Sequence, residues 1–251
     1  MAIFKFAPMA YVQPDSLIPD NELDRLRTLY HYQILNTTYE KVFDDFVALT
    51  AQLFNLPISL LSLIDEEEVY FKANSGMDGL PATLPRADSL CSAAVLEEAT
   101  LVFPDLTQER CNLVNPAVAE SAGLRSYAGA PLRMPNGHNI GTLCVIGREP
   151  RAFTAGEEEL LMHLAKLVSL TIEVRSVLLQ QELAEQWQQT QAQLQTQLLD
   201  ASTLARYLAA RTNGAAYFSE DVQQTVVRRL DDIAQVLRRQ LAEVHRLASK
   251  A

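Results

Sequence analysis

The residues of this 251-residue chain with the widest chemical range are its three cysteines, Cys91, Cys111 and Cys144. A thiolate binds a chromophore, ligates a metal or senses oxidation once its pKa is lowered. The set is odd in number, spaced twenty and thirty-three positions apart, with no Cys-x-x-Cys pair, which argues against a disulfide framework or a zinc site. Cys144 falls inside an apolar run and Cys91 at the start of a small-residue stretch. Free cysteine is among the most buried residue types, so packing is the expected role of both. Cys111 follows Arg110, a cation that favours thiolate, while Asp105 and Glu109 oppose it, and redox sensing stays open there.

Other reactive residue types are dispersed. His31, His138, His163 and His245 fall on four separate elements, without the i, i+4 or short-loop spacing of a metal site. There is no glycine-rich phosphate loop, no Gly-x-Ser-x-Gly turn and no carboxylate pair beside a nucleophile, and Glu66-Glu67-Glu68 reads as a solvated turn. The expectation is a protein that is not an enzyme and holds no metal. A net charge of -10 works against nucleic acid and anionic lipid as partners. The N-terminal stretch lacks a signal-like apolar core, and the longest apolar run, Pro57 to Ile64, is far short of the ~20 residues that span a bilayer. A cytoplasmic protein with reduced thiols is expected.

The elements that would position these residues follow from pattern. Asp20 to Tyr32 reads as a short helix with Asp20 as its cap, and a second helix buries Phe43, Phe46, Val47, Leu53 and Phe54 before Pro57 stops it. Ile58–Ile64 and Val69–Lys72 read as adjacent strands, and 76–86 as an irregular loop rich in Gly and Pro. Ser89 caps a short helix, Thr100–Phe103 is a strand, and Asn115-Pro116 starts another helix. Tyr127–Met134 and Ile140–Ile146 flank Asn136-Gly137, the favoured hairpin dipeptide. Thr154 caps a long helix with Glu157 and Glu158 in its first turn; it has no Gly or Pro to stop it before Gly214, so it is expected to run outward past Arg175. This order implies an α/β fold with one mainly antiparallel sheet flanked by helices.

These strings carry a resemblance. Leu35-Asn36-Thr37, Phe43-Asp44, ISLLSLID (58–65), YFKA (70–73), Ser89-Leu90-Cys91, Pro104-Asp105, Asn115-Pro116, YAGAPL (127–132) and GTLCVI (141–146) resemble bacterial GAF domains of the subgroup found upstream of histidine kinases and diguanylate cyclases. The resemblance spans roughly 19–179 and implies a GAF-like, PAS-related sheet with a cavity above it. Arg86, Ser89, Cys91, Asp105, Asn115 and Tyr127 are its implied ligand-binding residues, with Arg86 as the charge partner of a bound anion or heterocycle. The loops 76–89 and 105–127 that carry them are long, and they place polar groups over apolar strands. The roles of Ser89 and Asn115 as helix caps, and of Arg86 and Asp105 as loop pins, remain alternatives. Bilin-binding members usually present Cys-His, absent here, and the sulfoxide reductases of this fold cluster their cysteines, unlike the wide spacing here. No cofactor is identified.

Beyond the domain, Leu183, Trp187, Thr190, Leu194, Gln197, Ala201, Leu204 and Leu208 alternate steps of four and three, a coiled-coil seam of about three heptads. Asn213-Gly214 breaks the helix, and a second one starts near Ser219. Val226, Leu230, Ile233, Leu237, Gln240, Val244 and Leu247 repeat the pattern with Val227, Ala234 and Leu241 beside them, a face broad enough for a bundle. The expected organisation is an extension over 1–19, a GAF domain over 20–179, a coiled-coil helix over 180–212, and a linker with a C-terminal helix over 213–251. A homodimer or larger assembly through these helices, relaying a small molecule or protein state to a separate effector, is the expected function. A purely structural interaction module is the alternative, and a thiol enzyme or redox sensor a third.

Overall fold

The computed structural model describes residues 16–109, 111–211 and 220–248. Helices α1 (Glu22–His31) and α2 (Lys41–Phe54) precede strands β1 (Ile58–Ile64), β2 (Glu68–Ser75) and β3 (Thr83–Pro85). After a 3-10 turn at Arg86–Asp88 come α3 (Cys91–Ala94), β4 (Leu101–Phe103), α4 (Pro116–Ser121), β5 (Ser126–Arg133), β6 (Asn139–Gly147), α5 (Ala155–Gln180), α6 (Ala184–Arg211) and α7 (Glu220–Ala248). The sheet has the order β3-β2-β1-β6-β5-β4, and every pair in it is antiparallel.

The apolar strings place the centre of this sheet. Every residue of β1 is buried, as is nearly every residue of β5 and β6, because both faces of these strands are covered, and such strands lose the alternation of a half-exposed one. The β5–β6 turn holds Gly137 at φ +88, as the Asn-Gly signal requires. On one face, Leu61, Leu63, Ala130, Leu132, Leu143 and Val145 pack into a cluster that runs through α2 and α5 to the outer helices. On the other, Leu60, Ile64, Tyr127, Cys144 and Ile146 meet α3 and the loops.

Several local expectations are corrected. α1 begins at Glu22 behind Asn21, not Asp20, and the 76–86 loop contains β3, which pairs with β2. α2 stops at Asn55, which takes the left-handed conformation at φ 49, before Pro57 is reached. Thr154 does cap α5, and Glu157 completes a reciprocal capping box with it.

The largest correction concerns the C-terminal helices. α5 runs past Arg175 but stops at Gln180: Glu182 takes φ +60, the Leu183 N–H bonds to Leu178 O at 2.8 Å and the Glu182 N–H to Leu179 O at 3.1 Å. This is a Schellman ending made without the usual glycine. The chain turns back, so that α6 lies on α2, and α7 lies on α5 and α6. Trp187, Thr190, Leu194 and Ala201 of the expected seam, and Val226, Leu230, Ile233, Leu237 and Val244 of the second, are buried within one chain. Arg228, Arg229, Arg238, Arg239 and Arg246 face solvent. The Asn213-Gly214 break and the Ser219 start lie outside the described residues, as do the side chains of Leu208 and Leu247.

Candidate functional site

The face of the sheet opposite the helix layer is closed by α3, α4 and loops, and a cavity of about 60 Å³ remains beneath them. Leu60, Phe71 and Ile146 rise from the strands, while Val118 and Ala119 of α4 and Ala122 just after it form a roof and Asp88 and Asn115 stand with it. α4 buries none of its own residues. A second hollow of about 30 Å³ lies against Thr107 and Cys111 and shares Leu90, Asn115 and Ala119 with the first. A drug-sized ligand needs ~300 Å³ or more, so the cavity as it stands takes a very small molecule, and a larger one requires α4 to lift.

Local chemistry sets the floor. Thr142 Oγ1 of β6 donates to Cys91 O at 3.2 Å, and the Cys91 N–H bonds to Ser89 Oγ at 3.3 Å. Asn139 Nδ2 holds Val95 O and Glu97 O at 3.0 and 2.9 Å. These bonds seat α3 on β6 and bring Cys91 Sγ to 3.8 Å from Cys144 Sγ. Tyr127 reaches the same place because Gly129 has no side chain: a Cβ there would collide with the Tyr127 ring and hydroxyl. The Tyr127 hydroxyl donates to Cys91 Sγ at 3.7 Å.

The two sulfurs affect each other in opposite directions. The Cys144 thiol, with help from Ser62, Tyr127 and Ser89, lowers Cys91 to about 6 against the effect of burial. Acting as donor to Cys91 and being buried, Cys144 is pushed well above its ordinary value. Burial raises Tyr127 well above its usual range, so it stays a hydroxyl donor. Cys111, raised by burial, stays a thiol.

Of the six expected ligand residues, Ser89, Cys91, Asn115 and Tyr127 line the cavity. Asn115 also caps α4, accepting from the Ala117 N–H at 3.1 Å, and donates to Asp88 at 3.1 Å. Arg86 is not at the cavity. Its guanidinium is buried against Glu22 at 2.6 Å and the Leu17 carbonyl, a partner that α1 brings and the loop pattern did not reveal. Burial raises Glu22, but Arg25 and Arg86 outweigh it and hold the carboxyl low. Asp105 is likewise spent, bound to Arg125 at 3.1 Å and to Thr107, with Arg125 holding its carboxyl below the ordinary range. Each pins a loop, though not to the other.

Cys144 is the site residue that sequence reasoning set aside. Strand parity and the hairpin register carry a usable signal, since Gly129 faces Cys144 across the pair and shares a face with Tyr127 two residues earlier. The wide sequence spacing of the cysteines is corrected into contact by α3. Among the described residues no group of three His, Cys, Asp or Glu is placed to hold a metal ion, and no helix is long and apolar enough to cross a membrane.

The comparisons with known proteins are these. A family model described as GAF domain matches residues 38–172. Cyclic di-GMP phosphodiesterase PA2567 of Pseudomonas aeruginosa is 35% identical over 155 residues, which make up 61% of this chain and 26% of that protein. The chain thus spans about a quarter of that relative's length. The relative bears an enzyme's name, and this corrects the expectation, drawn from missing catalytic motifs, of a protein that is not an enzyme. Among solved structures, the GAF domain of an Acinetobacter phosphoenolpyruvate-protein phosphotransferase is 18% identical, with TM-score 0.46, covering 62% of this chain and 94% of that one. The blue-light absorbing form of the Thermosynechococcus elongatus PixJ GAF domain is 19% identical, with TM-score 0.47, covering 65% and 95%.

Proposed function

The chain belongs to the GAF domain family, whose model matches residues 38–172, and from that premise we propose that it is a sensory module for the turnover of cyclic di-GMP. A small molecule is read on the cavity face, at Ser89, Cys91, Asn115 and Tyr127, and the change is relayed through α5, α6 and α7 to the effector. The observation that carries the reading is the contrast between an apolar cavity under a short roof helix with no fully buried residue and the continuous apolar cluster that joins the sheet to α2, α5, α6 and α7 on the other side of the same strands. A single strand separates them: in β6, Cys144 and Ile146 face the cavity side while Leu143 and Val145 face the helices.

The effector class rests on the name of the Pseudomonas aeruginosa relative. Assembly is a homodimer in the cytoplasm, and because the apolar columns of α6 and α7 are already buried within one chain, pairing through them requires an exchange of partners. The test joins this chain to a cyclic di-GMP phosphodiesterase and measures hydrolysis across a panel of small metabolites, with light scattering alongside. A metabolite that changes hydrolysis in the wild type and not in Asn115→Ala supports the reading. Hydrolysis indifferent to every metabolite and to removal of α6 and α7 sinks it.

A further inference from the structure

The floor of the cavity pairs Cys91, one of the residues of the sensory reading, with a second cysteine that the reading does not use. Two buried sulfurs lie 3.8 Å apart, Cys91 on α3 and Cys144 on β6. Cys91 borders the cavity, and Cys144 stands in contact behind it. Tyr127 places its hydroxyl 3.7 Å from Cys91 Sγ. The Cys144 thiol and the Tyr127 hydroxyl both reach Cys91 Sγ, contacts that favour its thiolate and accord with its lowered pKa. The cavity wall is apolar, and no described cation lines it. Its volume of about 60 Å³ has room for a molecule of a few heavy atoms, since one water needs ~10–15 Å³ on this scale. A substrate for this place is small, neutral and electrophilic at oxygen.

We propose that Cys91 and Cys144 form a peroxide-reactive thiol pair, in which Cys91 attacks hydrogen peroxide admitted to the cavity and Cys144 resolves the product as an intramolecular disulfide. In the first step the Cys91 thiolate forms an S–O bond to one peroxide oxygen. The O–O bond breaks, and the departing hydroxide takes up a proton as water. Sulfur is oxidised by two electrons to sulfenic acid, and peroxide is reduced. In the second step the Cys144 thiol gives up its proton and its sulfur attacks Cys91; the S–S bond forms, the S–O bond breaks, and hydroxide leaves with that proton as a second water. Cys111 is the internal control, because burial holds it as a thiol. This chemistry occupies the sensory cavity but does not depend on the sensory reading.

The test uses the full chain, reduced, exposed to one equivalent of hydrogen peroxide at pH 7, then alkylated, digested and mapped by mass spectrometry. The expected product is the Cys91–Cys144 disulfide with Cys111 free, formed about tenfold or more faster than Cys111 is oxidised. Cys144→Ala should stop at a Cys91 sulfenic acid that dimedone traps, and Cys91→Ser should leave Cys144 unreacted. Oxidation at Cys111 as fast as at Cys91, or a wild-type chain with all thiols intact, overturns the proposal. The wild-type map needs no variant to fold. Inert thiols would leave the sensory reading standing, since that is judged by effector hydrolysis.

Discussion

On the helix side of the sheet the buried polar groups of the main junction are matched, whereas on the cavity side the polar groups are few, soft and set around a cavity. The helix-side junction centres on Glu40, which accepts from Arg175 at 2.8 Å, Lys72 at 3.0 Å and Trp187 Nε1 at 2.8 Å. One carboxylate thereby ties the α1–α2 connection to β2, α5 and α6. The cavity side centres on two thiols and a hydroxyl at 3.7–3.8 Å. Fully satisfied ionic networks rigidify what they join, while sulfur contacts are weak and deformable. The comparison teaches that this fold invests rigidity where the helices attach and leaves the opposite face free to change.

Removing Glu40 should break the rigid side hardest. Glu40→Ala leaves two buried cations without their anion, and breaking such a network costs about 3–5 kcal/mol; denaturant melts of the purified chain measure it. The pH dependence has a definite sign. Burial raises the Glu40 carboxyl, but Arg175 and Lys72 outweigh it and hold it below the ordinary value. The unfolded chain then takes up its proton first, so the stabilisation is complete above the ordinary carboxylate range and is lost as pH falls through the lower folded value. Glu40→Gln should flatten that acid limb, leaving the part due to Glu22 and Asp105, whose carboxyls are also held low. An unchanged acid limb would contradict the assignment.

Next in size is the apolar contact of the outer helices. Leu230 is buried against the rest of the chain, and Leu230→Ala should cost about 2–5 kcal/mol in a monomer. A loss of this size that depends on protein concentration would instead place the α7 face between two chains. Gly129→Ala should cost less, about 1–3 kcal/mol, since its Cβ displaces the Tyr127 ring. The change acts on the cavity side alone, and fluorescence of Trp187, on the far side of the sheet, should be unaltered.

How legible this was differs between the same two regions. The sheet was readable because ISLLSLI, YAGAPL and GTLCVI are long apolar runs and Asn136-Gly137 fixes a hairpin. The heptad columns of α6 and α7 were readable as buried faces, but not what they bury against. The turn at Glu182 carries no glycine, so nothing local announced that the chain folds back. Ser89, Cys91, Asn115 and Tyr127 lie at the cavity. Arg86 does not, because Glu22 lies 64 residues away in sequence, and an ion pair of that separation leaves no local trace. The Cys91–Cys144 contact was hidden for the same reason: parity assigns Cys144 a face, but only the seating of α3 on β6 brings Cys91 to it.

The smallest effect on stability should come from the roof, and it gives the sharpest contrast between the two sides. Val118 lines the cavity from α4, yet α4 has no buried residue. Its attachment includes the Asn115 cap, the Asn115 N–H to Ala87 O, Asn115 to Asp88, and Arg148 to Ala122 O at 2.8 Å. Val118→Ala removes little buried surface, so a loss within about 0.5 kcal/mol is expected. The same change widens the cavity beside Cys91, and bromobimane labelling of Cys91 should speed up while Cys111 labelling is unaffected. The low local stability of a lid shows as hydrogen exchange, because segments with few buried apolar contacts open at little cost. Amides of α4 should therefore exchange far faster than those of α5 in the wild type. Exchange of α4 as slow as that of α5 would make the roof part of the rigid side and remove the basis for reading the cavity as the face that moves.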